Sequence, residues 1–465
     1  MAKKAETKPP KGTRDFLPVD LRRREHVVGV IKRIYEAHGF QPLETPTFER
    51  LETLLGKYGE EGDQLVFKVL HRGQPLVDGI RQAGQHLLEP GAVVVGRSGE
   101  TAPAAEKLLA DMGLRYDLTV PLARVVAEYQ GKLPPVWKRY QIQPVWRADT
   151  PGKGRFREFY QCDVDVVGSN SPLVEADVIS AVAECLRELG FKDFEIRLNH
   201  RGLLRAFVEH SGIPLALESA AIVAVDKLDK VGREGVTAEL GAKGISAESA
   251  EKLLGLVLGE RPIAELKQAL AGHEGGQKAL AELETVLGLV RSTPAQEHLV
   301  FNATLARGLG YYTGCIFEIA VKDLAGSLGG GGRYDGLIGM FSGKDVPACG
   351  FSIGLERILV VMEERGMFPG QLGAVDVVVA ADKDVDGAAG QLQVAAQLRQ
   401  AGLRVDLNVR SASPGALRKA ADESGVPCVV FVGADLGVVK AWHKQVPGPE
   451  SSVSISDLAQ WIRSR

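Results

Sequence analysis

This 465-residue chain has few cysteines, no long apolar run and little excess of charge of either sign. Its five cysteines are scattered and form no Cys-x-x-Cys pair, which argues against a disulfide framework or a zinc site and for reduced, cytosolic thiols. No apolar run approaches the roughly 20 residues that a membrane span needs, and the Lys-rich residues 1–10 have no apolar segment behind them. A net charge of −3 excludes a general polyanion binder, so any contact with nucleic acid must be local.

The length predicts two or three domains, and the texture of the sequence changes along the chain. We predict a mixed first part, an Ala-, Leu-, Glu- and Lys-rich helical insertion, a return to strand, glycine turn and helix, and a separate α/β domain, with boundaries at 1–200, 201–295, 296–368 and 373–465. Periodicity and turn residues predict helices over 21–38, 172–190, 385–402, 413–424 and 455–463. They predict strands over 115–120, 139–147, 158–167, 194–199, 375–380, 403–409 and 428–433.

Two of these predicted strands carry an unusual polar face. The polar residues are Arg115, Asp117 and Thr119 in the first strand, and Gln161, Asp163 and Asp165 in the second. A two-layer sheet whose outer face meets water would explain either strand alone. Together, in apolar surroundings, their acids and amides favour a ligand that bears an amine and a ring nitrogen.

Arginines and glycines follow at several turns. Arg147 stands at the end of a strand, before the basic hairpin loop 147–157, where a fixed guanidinium suits a phosphate better than solvent. Arg307 precedes a glycine turn and two adjacent tyrosines. The glycine run 326–337 does not fit a dinucleotide fingerprint and favours close approach of the backbone to a ligand. Residues 350–359 read as a helix with two glycines on one face and Arg357 nearby.

No metal-ligand cluster and no Ser-His-Asp or Cys-His arrangement is supported by the order and spacing of the residues. What remains is a set of arginines, acids and tyrosines on sheet faces. That inventory indicates phosphate chemistry driven by positioning and electrostatics rather than by covalent catalysis.

At this point the sequence resembles one family, the histidyl-tRNA synthetases of the class II aminoacyl-tRNA synthetases. The resemblance is carried in order by PKGTRDFLP (10–18), TPTFE (45–49), KYGEE (57–61), LRYDLTVPLAR (114–124), VWRADTPGKGRFREFYQCDVDVVG (145–168), LARGLGYYTGCIFE (305–318) and GGGGRYDGL…PACGFSIGLERIL (329–359). These segments include the three class II motifs: the Pro46 region, the Arg147 hairpin and the Arg357 helix. The resemblance implies a class II antiparallel-sheet catalytic core with a helical insertion, plus a C-terminal α/β anticodon-binding domain.

The resemblance also implies a role for each matching residue. In the histidine site, Asp117, Thr119 and Gln161 would hold the α-amino group, Asp165 and Tyr312 would bracket the imidazole, and Tyr311 would line the same pocket. In the ATP site, Arg147 would bind the α-phosphate, Arg155 and Arg357 the outer phosphates, Phe159 and Arg357 would sandwich the adenine, and Asp149 would lie near the nucleotide. Arg307 would stabilise charge as the histidine carboxylate attacks the α-phosphate.

The implied reaction is the ATP-dependent ligation of histidine to its tRNA. ATP is a substrate, Mg²⁺ would neutralise the triphosphate without an assigned protein ligand, and tRNA(His) is the partner. The family is dimeric, and the 21–38 helix with the Pro46 strand resembles its interface motif, so a cytoplasmic homodimer is the expectation. The residues of 373–465 that contact the anticodon stay unassigned.

Two departures from the family pattern stand out. Gly310 occupies a position where the family usually has Asp, which removes a potential support for Arg307. Residues 69–112 are longer than the hairpin expected there, which suggests a surface insertion. Three alternatives stay open: a histidine-sensing regulatory paralogue such as the partner of ATP phosphoribosyltransferase, a class II synthetase for another amino acid, and a plain interaction protein.

Overall fold

A computed structural model of the chain describes residues 6–88, 108–259, 261–306, 310–322, 324, 326–369, 372, 375–382, 388–410 and 412–465. Contacts divide the chain into two compact units, one of Met1–Asp15 with Val27–Met367 and one of Phe16–His26 with Phe368–Arg465. In the described ranges, no helix is both long enough and apolar enough to span a bilayer.

The first unit contains an eight-stranded sheet with the strand order β1-β5-β6-β11-β10-β9-β7-β8. It also contains a separate three-stranded sheet with the order β2-β4-β3. Its strands are β1 Gln41–Pro42, β2 Phe48–Arg50, β3 Lys68–Leu70, β4 Ala110–Leu114, β5 Trp137–Trp146, β6 Glu158–Val167, β7 Phe194–His200, β8 Leu299–Phe301, β9 Cys315–Val321, β10 Gly329–Arg333 and β11 Ala348–Gly354. Among the described strands of this sheet, only the outer pairs, β1·β5 and β7·β8, are parallel. The predicted antiparallel-sheet core is thereby confirmed.

The helices before and around this sheet are α1 Pro18–Ala37, α2 Leu51–Leu54, α3 Gly59–Gln64, α4 Gln74–Leu88, α5 Thr119–Tyr129 and α6 Leu173–Glu188. Helix α1 buries Val27, Ile31 and Tyr35 at helical spacing, and it stops before Gly39, whose φ of 80° reverses the chain. The helix starts at Pro18, which has no N–H to leave unpaired, three residues before the predicted start at residue 21.

Between β7 and β8 the described residues form helices α7 Arg201–His210, α8 Glu218–Asp226, α9 Leu228–Ala242, α10 Ala247–Val257, α11 Ile263–Ala269 and α12 Glu274–Val290. Helices α7 and α12 are joined by two matching histidine caps. The Nδ1 atoms of His200 and His273 each accept a backbone N–H of the following first turn at 3.0 Å. Each Nε2 therefore carries the hydrogen and bonds a carboxylate of the other helix, Glu282 at 2.9 Å and Glu209 at 2.8 Å.

Two more helices complete the first unit: α13 Asp335–Ser342 and α14 Leu355–Glu364. The second unit has a five-stranded sheet, β13-β12-β14-β15-β16, in which β12, β13 and β14 are parallel. Its elements are β12 Val377–Ala381, α15 Ala388–Gln400, β13 Val405–Leu407, α16 Pro414–Glu423, β14 Cys428–Val432, β15 Val438–His443, β16 Ser451–Ser454 and α17 Ile455–Arg463. Apolar clusters cover both sheet faces, so the predicted C-terminal α/β domain is confirmed.

Three details of the predicted secondary structure are wrong. Residues 115–118 form a loop and α5 begins at Thr119, so 115–120 is not a strand. Residues 350–354 belong to β11, and the helix that carries Arg357 begins only at Leu355. Strands β15 and β16 were not predicted, because β15 (VVKAWH) lacks a regular alternation of apolar and polar residues and β16 (SSVS) is mostly serine. The four domain boundaries remain predictions.

Candidate active site

One cavity of about 280 Å³ opens above the central strands β6, β10 and β11 of the first unit. Eleven of the twelve site residues that the sequence predicted line it: Asp117, Thr119, Arg147, Asp149, Arg155, Phe159, Gln161, Asp165, Tyr311, Tyr312 and Arg357. The twelfth, Arg307, lies outside the described residues. The structure therefore gathers residues that are up to 240 positions apart in sequence (117 to 357) around one cavity.

The floor of the cavity is a buried polar face of β6. Asp163 and Asp165 are each only 2% exposed, and the opposite face of the strand buries Cys162 and Val164 completely. The alternative of an outer strand face in water is therefore wrong. A strand that is buried on both faces but carries two carboxylates needs nearby compensating groups or a bound ligand, because a buried charge without a partner is costly.

Asp165 has two protein partners. The guanidinium of Arg139, which is fully buried on β5 directly across from it, places Nη2 2.7 Å from Asp165 Oδ2. The hydroxyl of Tyr334 donates a hydrogen bond to Asp165 Oδ1. Burial raises the pKa of Asp165, while Arg139 and the Tyr334 hydrogen bond oppose that shift. The carboxylate is thus fixed in orientation at the bottom of the cavity.

Asp117 reaches the cavity from the loop between β4 and α5. Its Oδ1 accepts the backbone N–H of Val120 at 3.0 Å, in the first turn of α5, and the hydroxyl of Tyr58 at 3.1 Å. Its Oδ2 is buried and has no hydrogen-bond partner. Burial raises the pKa of Asp117, and the helix N–H and Arg147 oppose that shift. The cap on α5 explains why this segment is not a strand.

Arg115 does not share a face with Asp117, in contrast to the strand prediction. Its side chain is buried and donates to the carbonyl oxygens of Thr45 at 2.6 Å and Pro144 at 2.8 Å, and to Gln143 Oε1 at 3.0 Å. It therefore ties the loop to the chain before β2 and to β5, and it is not a cavity residue.

Two arginines frame the upper part of the cavity. Arg147 donates through Nε to the carbonyl of Tyr116 at 3.1 Å, and its guanidinium carbon lies 4.2 Å from the Tyr116 ring centre and 5.2 Å from that of Phe159. Arg357, in the first turn of α14, donates to the carbonyl of Ser327. Both guanidinium groups are held by carbonyls or aromatic rings, which leaves them cationic and suited to a phosphate.

The hairpin between β5 and β6 contributes the more exposed part. Arg155 is 54% exposed, and its Nη1 lies 3.9 Å from Asp149 Oδ1. Such an exposed pair adds little to stability, so Arg155 can turn toward a ligand at low cost.

The tyrosine segment forms one wall. Tyr311 and Tyr312 are mostly buried, with ring centres 4.9 Å apart, and Tyr311 meets Tyr334 edge-on at 6.1 Å. Gly310 precedes them, and a Cβ atom there would have no heavy atom within 4 Å, so the aspartate usual in the family would fit.

Several cavity residues were missed by sequence reasoning, among them Tyr334 and Glu356, with Arg139 behind the floor. Arg139 had a signal, because it alternates with Gln141 and Gln143 along β5, and these three pair across the sheet with Asp165, Asp163 and Gln161. Tyr334 directly follows the glycine strand β10 and has no periodic signal around it. Glu356 is 3% exposed and accepts the N–H of Tyr160 at 2.9 Å.

An antiparallel sheet with one phosphate-type arginine at a hairpin and another on the helix after the last strand is the plan of a class II aminoacyl-tRNA synthetase. The model of the family described as Histidyl-tRNA synthetase matches residues 12–81 and 105–358, and that described as Anticodon binding domain matches residues 375–465. The chain therefore belongs to the histidyl-tRNA synthetase family. The interruption at 82–104 falls within the suspected insertion.

Individual relatives agree. The chain is 40% identical over 450 residues to the histidine–tRNA ligase of Gloeobacter violaceus, covering 91% of each chain. The crystal structure of histidyl-tRNA synthetase from Nostoc sp. PCC 7120 superposes with a TM-score of 0.79 at 30% identity, over 99% of this chain and 100% of that one. A Bacillus halodurans structure titled as an ATP phosphoribosyltransferase regulatory subunit/histidyl-tRNA synthetase has a TM-score of 0.70 at 21% identity, over 93% and 100%, and shows the fold alone.

Proposed function

We propose that this chain is a histidine–tRNA ligase, which activates L-histidine with ATP to histidyl-adenylate and transfers it to the 3′ end of tRNA(His). Membership of the histidyl-tRNA synthetase family is the main support for this reaction. The observation that supports it at the site is a single cavity that joins a carboxylate floor to Arg147 and Arg357. An amino acid and a triphosphate can therefore meet in it.

In the histidine site we assign Asp117, Thr119 and Gln161 to the α-amino group. The imidazole binds between Asp165 and Tyr312, with Tyr311 beside it. Neutral imidazole has one donor and one acceptor nitrogen, which match a carboxylate and a hydroxyl. Because Asp165 is already held by Arg139 and Tyr334, it is preorganised for the ring N–H. Amino acids that lack both nitrogens should be rejected by roughly 10⁴-fold, since the buried polar groups would be left unpaired.

In the ATP site we assign the α-phosphate to Arg147 and the outer phosphates to Arg155 and Arg357. Phe159 and Arg357 enclose the adenine, and Asp149 lies near the nucleotide. The histidine carboxylate attacks the α-phosphorus in line and pyrophosphate leaves, so cationic clamps suffice without a general base. Arg307 is proposed to neutralise the charge that develops in this step.

Mg²⁺ is proposed to accompany the triphosphate and to neutralise part of its charge. The residues that fit such an ion are Asp149 and Glu356, because both are oxygen donors that line the cavity beside the phosphate arginines.

We further propose a cytoplasmic homodimer. The five cysteines are all free and buried, as expected for a reducing compartment. Exposed apolar side chains lie on the small sheet and on the helix that follows β3, namely Phe48, Met112, Leu70, Val77 and Ile80. A second copy of the chain is the occupant that we assign to this surface.

The proposed function is tested by ATP–pyrophosphate exchange with a panel of amino acids, followed by charging of total tRNA. Exchange with histidine alone and charging of tRNA(His) are expected. Exchange with another amino acid would point to a different class II synthetase, and histidine binding without exchange to a regulatory paralogue. Arg307→Ala is expected to fold normally and to lose roughly 10²-fold in exchange, by analogy with the loss of an oxyanion donor. Near-normal exchange would remove Arg307 from the mechanism.

A further inference from the structure

Asp163 is a buried carboxylate in the cavity floor to which no role has been given so far. It lies on β6 between Gln161 and Asp165, is 2% exposed, and lines the cavity. A carboxylate so placed either serves the ligand or weakens the fold, because its burial removes it from water.

The neighbours of Asp163 across the sheet do not satisfy it fully. Gln141 lies opposite on β5, but its Nε2 donates to Thr45 Oγ1 at 2.9 Å and to Gln143 Oε1 at 2.6 Å and not to Asp163. Ser352, opposite on β11, shares a hydrogen bond with Asp163 while its Oγ also accepts from Gln161 Nε2 at 2.8 Å. Asp163 Oδ1 is buried and has no hydrogen-bond partner.

The titratable and charged groups that face Asp163 leave too little positive charge for it. They are Asp165 on the same strand, Arg139 on β5, Asp117 in the loop before α5, and the Tyr35 hydroxyl of α1. The only cation of this set, Arg139, is already paired with Asp165. Two acids that share one buried arginine cannot both ionise without cost. Burial, with the charges of Asp165 and Asp117, raises the pKa of Asp163 to about 8, and Arg139 opposes the shift.

Three buried acceptor atoms of the cavity residues lack a hydrogen-bond donor and an ion-pair partner: Asp117 Oδ2, Gln161 Oε1 and Asp163 Oδ1. An α-ammonium group brings three N–H donors and one positive charge. Histidine with a neutral ring carries its only positive charge on that group. The number of acceptors and the missing charge therefore match the same part of the substrate.

We propose that Asp163 is a further anchor for the α-ammonium group of histidine beside Asp117, Thr119 and Gln161, that it holds a proton in the empty pocket, and that histidine binding expels this proton to the solvent. The proton leaves the Asp163 carboxyl for the buffer, the ammonium keeps its three hydrogens, and the resulting carboxylate pairs with it. This inference rests on the proposed function, because it assumes that histidine is the amino acid bound.

The test is calorimetric titration of the intact protein with L-histidine, without ATP, at pH 6.5 and 7.5. Loss of the imidazolium form of free histidine raises affinity by about twofold over this interval for any variant. Release of a proton from Asp163 is expected to add roughly a further tenfold in the wild type. Asp163→Asn, which mimics the protonated acid in size and charge, is expected to show only the twofold change. Glu158→Gln, at the exposed end of the same strand, is the matched control and should behave as the wild type.

A wild-type affinity that rises only twofold would overturn the inference, and so would an Asp163→Asn protein that keeps the full rise. The wild-type measurement stands by itself if the variant does not fold. Titration in phosphate and in Tris, whose heats of ionisation differ, counts the released protons directly. The imidazolium of free histidine accounts for about 0.2 proton at pH 7, and a total no greater than that would be equally fatal. A wild type that binds another amino acid in place of histidine contradicts the proposed function itself.

Discussion

Gly350 lies directly opposite Asp165 across the β6·β11 pair, and a Cβ atom at position 350 would stand 1.8 Å from Asp165 Oδ1. No side chain can occupy that space while the carboxylate keeps its bonds to Arg139 and Tyr334. The glycine in β11 thus makes room for the carboxylate of Asp165, which we propose binds the imidazole, and does not serve a turn.

Gly350→Ala is therefore expected to displace Asp165 and raise the KM for histidine by about tenfold or more, as one misplaced polar contact costs on the order of 1–3 kcal/mol. The KM for ATP should change much less. ATP–pyrophosphate exchange with each substrate varied in turn measures both. Gly336→Ala is the control, because a Cβ there meets nothing within 4 Å. An unchanged KM for histidine in Gly350→Ala would show that the orientation of Asp165 does not matter.

His38 makes stability depend on pH. Its Nδ1 lies 3.1 Å from Asp177 Oδ1 and its Nε2 3.0 Å from Glu184 Oε2, both on α6. The hydrogen bond to Asp177, with help from Glu184, raises the pKa of His38 above its usual 6.5, although burial opposes this. Because its pKa is raised in the folded state, protonated His38 stabilises the fold. This contribution is fully present below pH 6.5 and is lost as the pH rises through the folded-state pKa.

His38→Gln should accordingly lower the urea midpoint at pH 6 and lower it less at pH 9. Unfolding followed by circular dichroism at both pH values measures the difference. His210→Gln, at an exposed histidine, serves as the control. A deficit that grows toward pH 9 would contradict the assignment.

Asn199 anchors the segment that leads to Arg307. It is fully buried, and its Nδ2 donates to the carbonyls of Ala303 at 3.2 Å and Leu305 at 2.8 Å. Asn199→Ala leaves both carbonyls unpaired and is expected to cost about 1–3 kcal/mol of folding free energy. The variant should have a reduced kcat for exchange, whereas its KM for histidine should change less. Chemical denaturation and exchange kinetics measure the two effects, with Asn170→Ala at an exposed position as control. A normal kcat in a destabilised protein would separate Asn199 from catalysis.

Phe48 tests the proposed dimer. It is 52% exposed on β2, close in the sheet to Met112 on β4, which is 41% exposed. Phe48→Glu places a charge in the proposed apolar contact and is expected to yield monomers in sedimentation velocity at micromolar concentration, where the wild type should be dimeric. Leu392→Glu, at an equally exposed leucine of the second unit, should leave the dimer intact. If the Phe48→Glu variant is still dimeric, the interface lies elsewhere on the protein.

Sequence patterns predicted what depends on local periodicity. The alternation of Gln161, Asp163 and Asp165 gave β6 and its polar face correctly, and the resemblance supplied residues that the fold then brings to one cavity. Patterns failed at two residues that line the cavity. Asp117 looked like part of a strand but caps α5, and Gly350 looked helical but lies in β11.

The missed residues depend on strand register, which one sequence does not reveal. Arg139 becomes part of the site only because it faces Asp165 across β5 and β6, and Tyr334 only because β10 ends beside them. Their importance comes from pairs formed between distant segments. The alternation of Arg139 with Gln141 and Gln143 indicates a polar face of β5 but does not indicate its partners.

The helices between β7 and β8 have a consequence for how this family can change. Strands β7 and β8 are parallel neighbours, so the chain must cross from the end of one to the start of the other, for which about a dozen residues suffice. The last helix of this stretch, α12, packs against β7 and α6, whereas α8 to α11 have no extensive contact with the described strands of the sheet. The parallel connection between β7 and β8 therefore sets only a minimum for the chain between them and leaves the number and length of the helices α8 to α11 unconstrained.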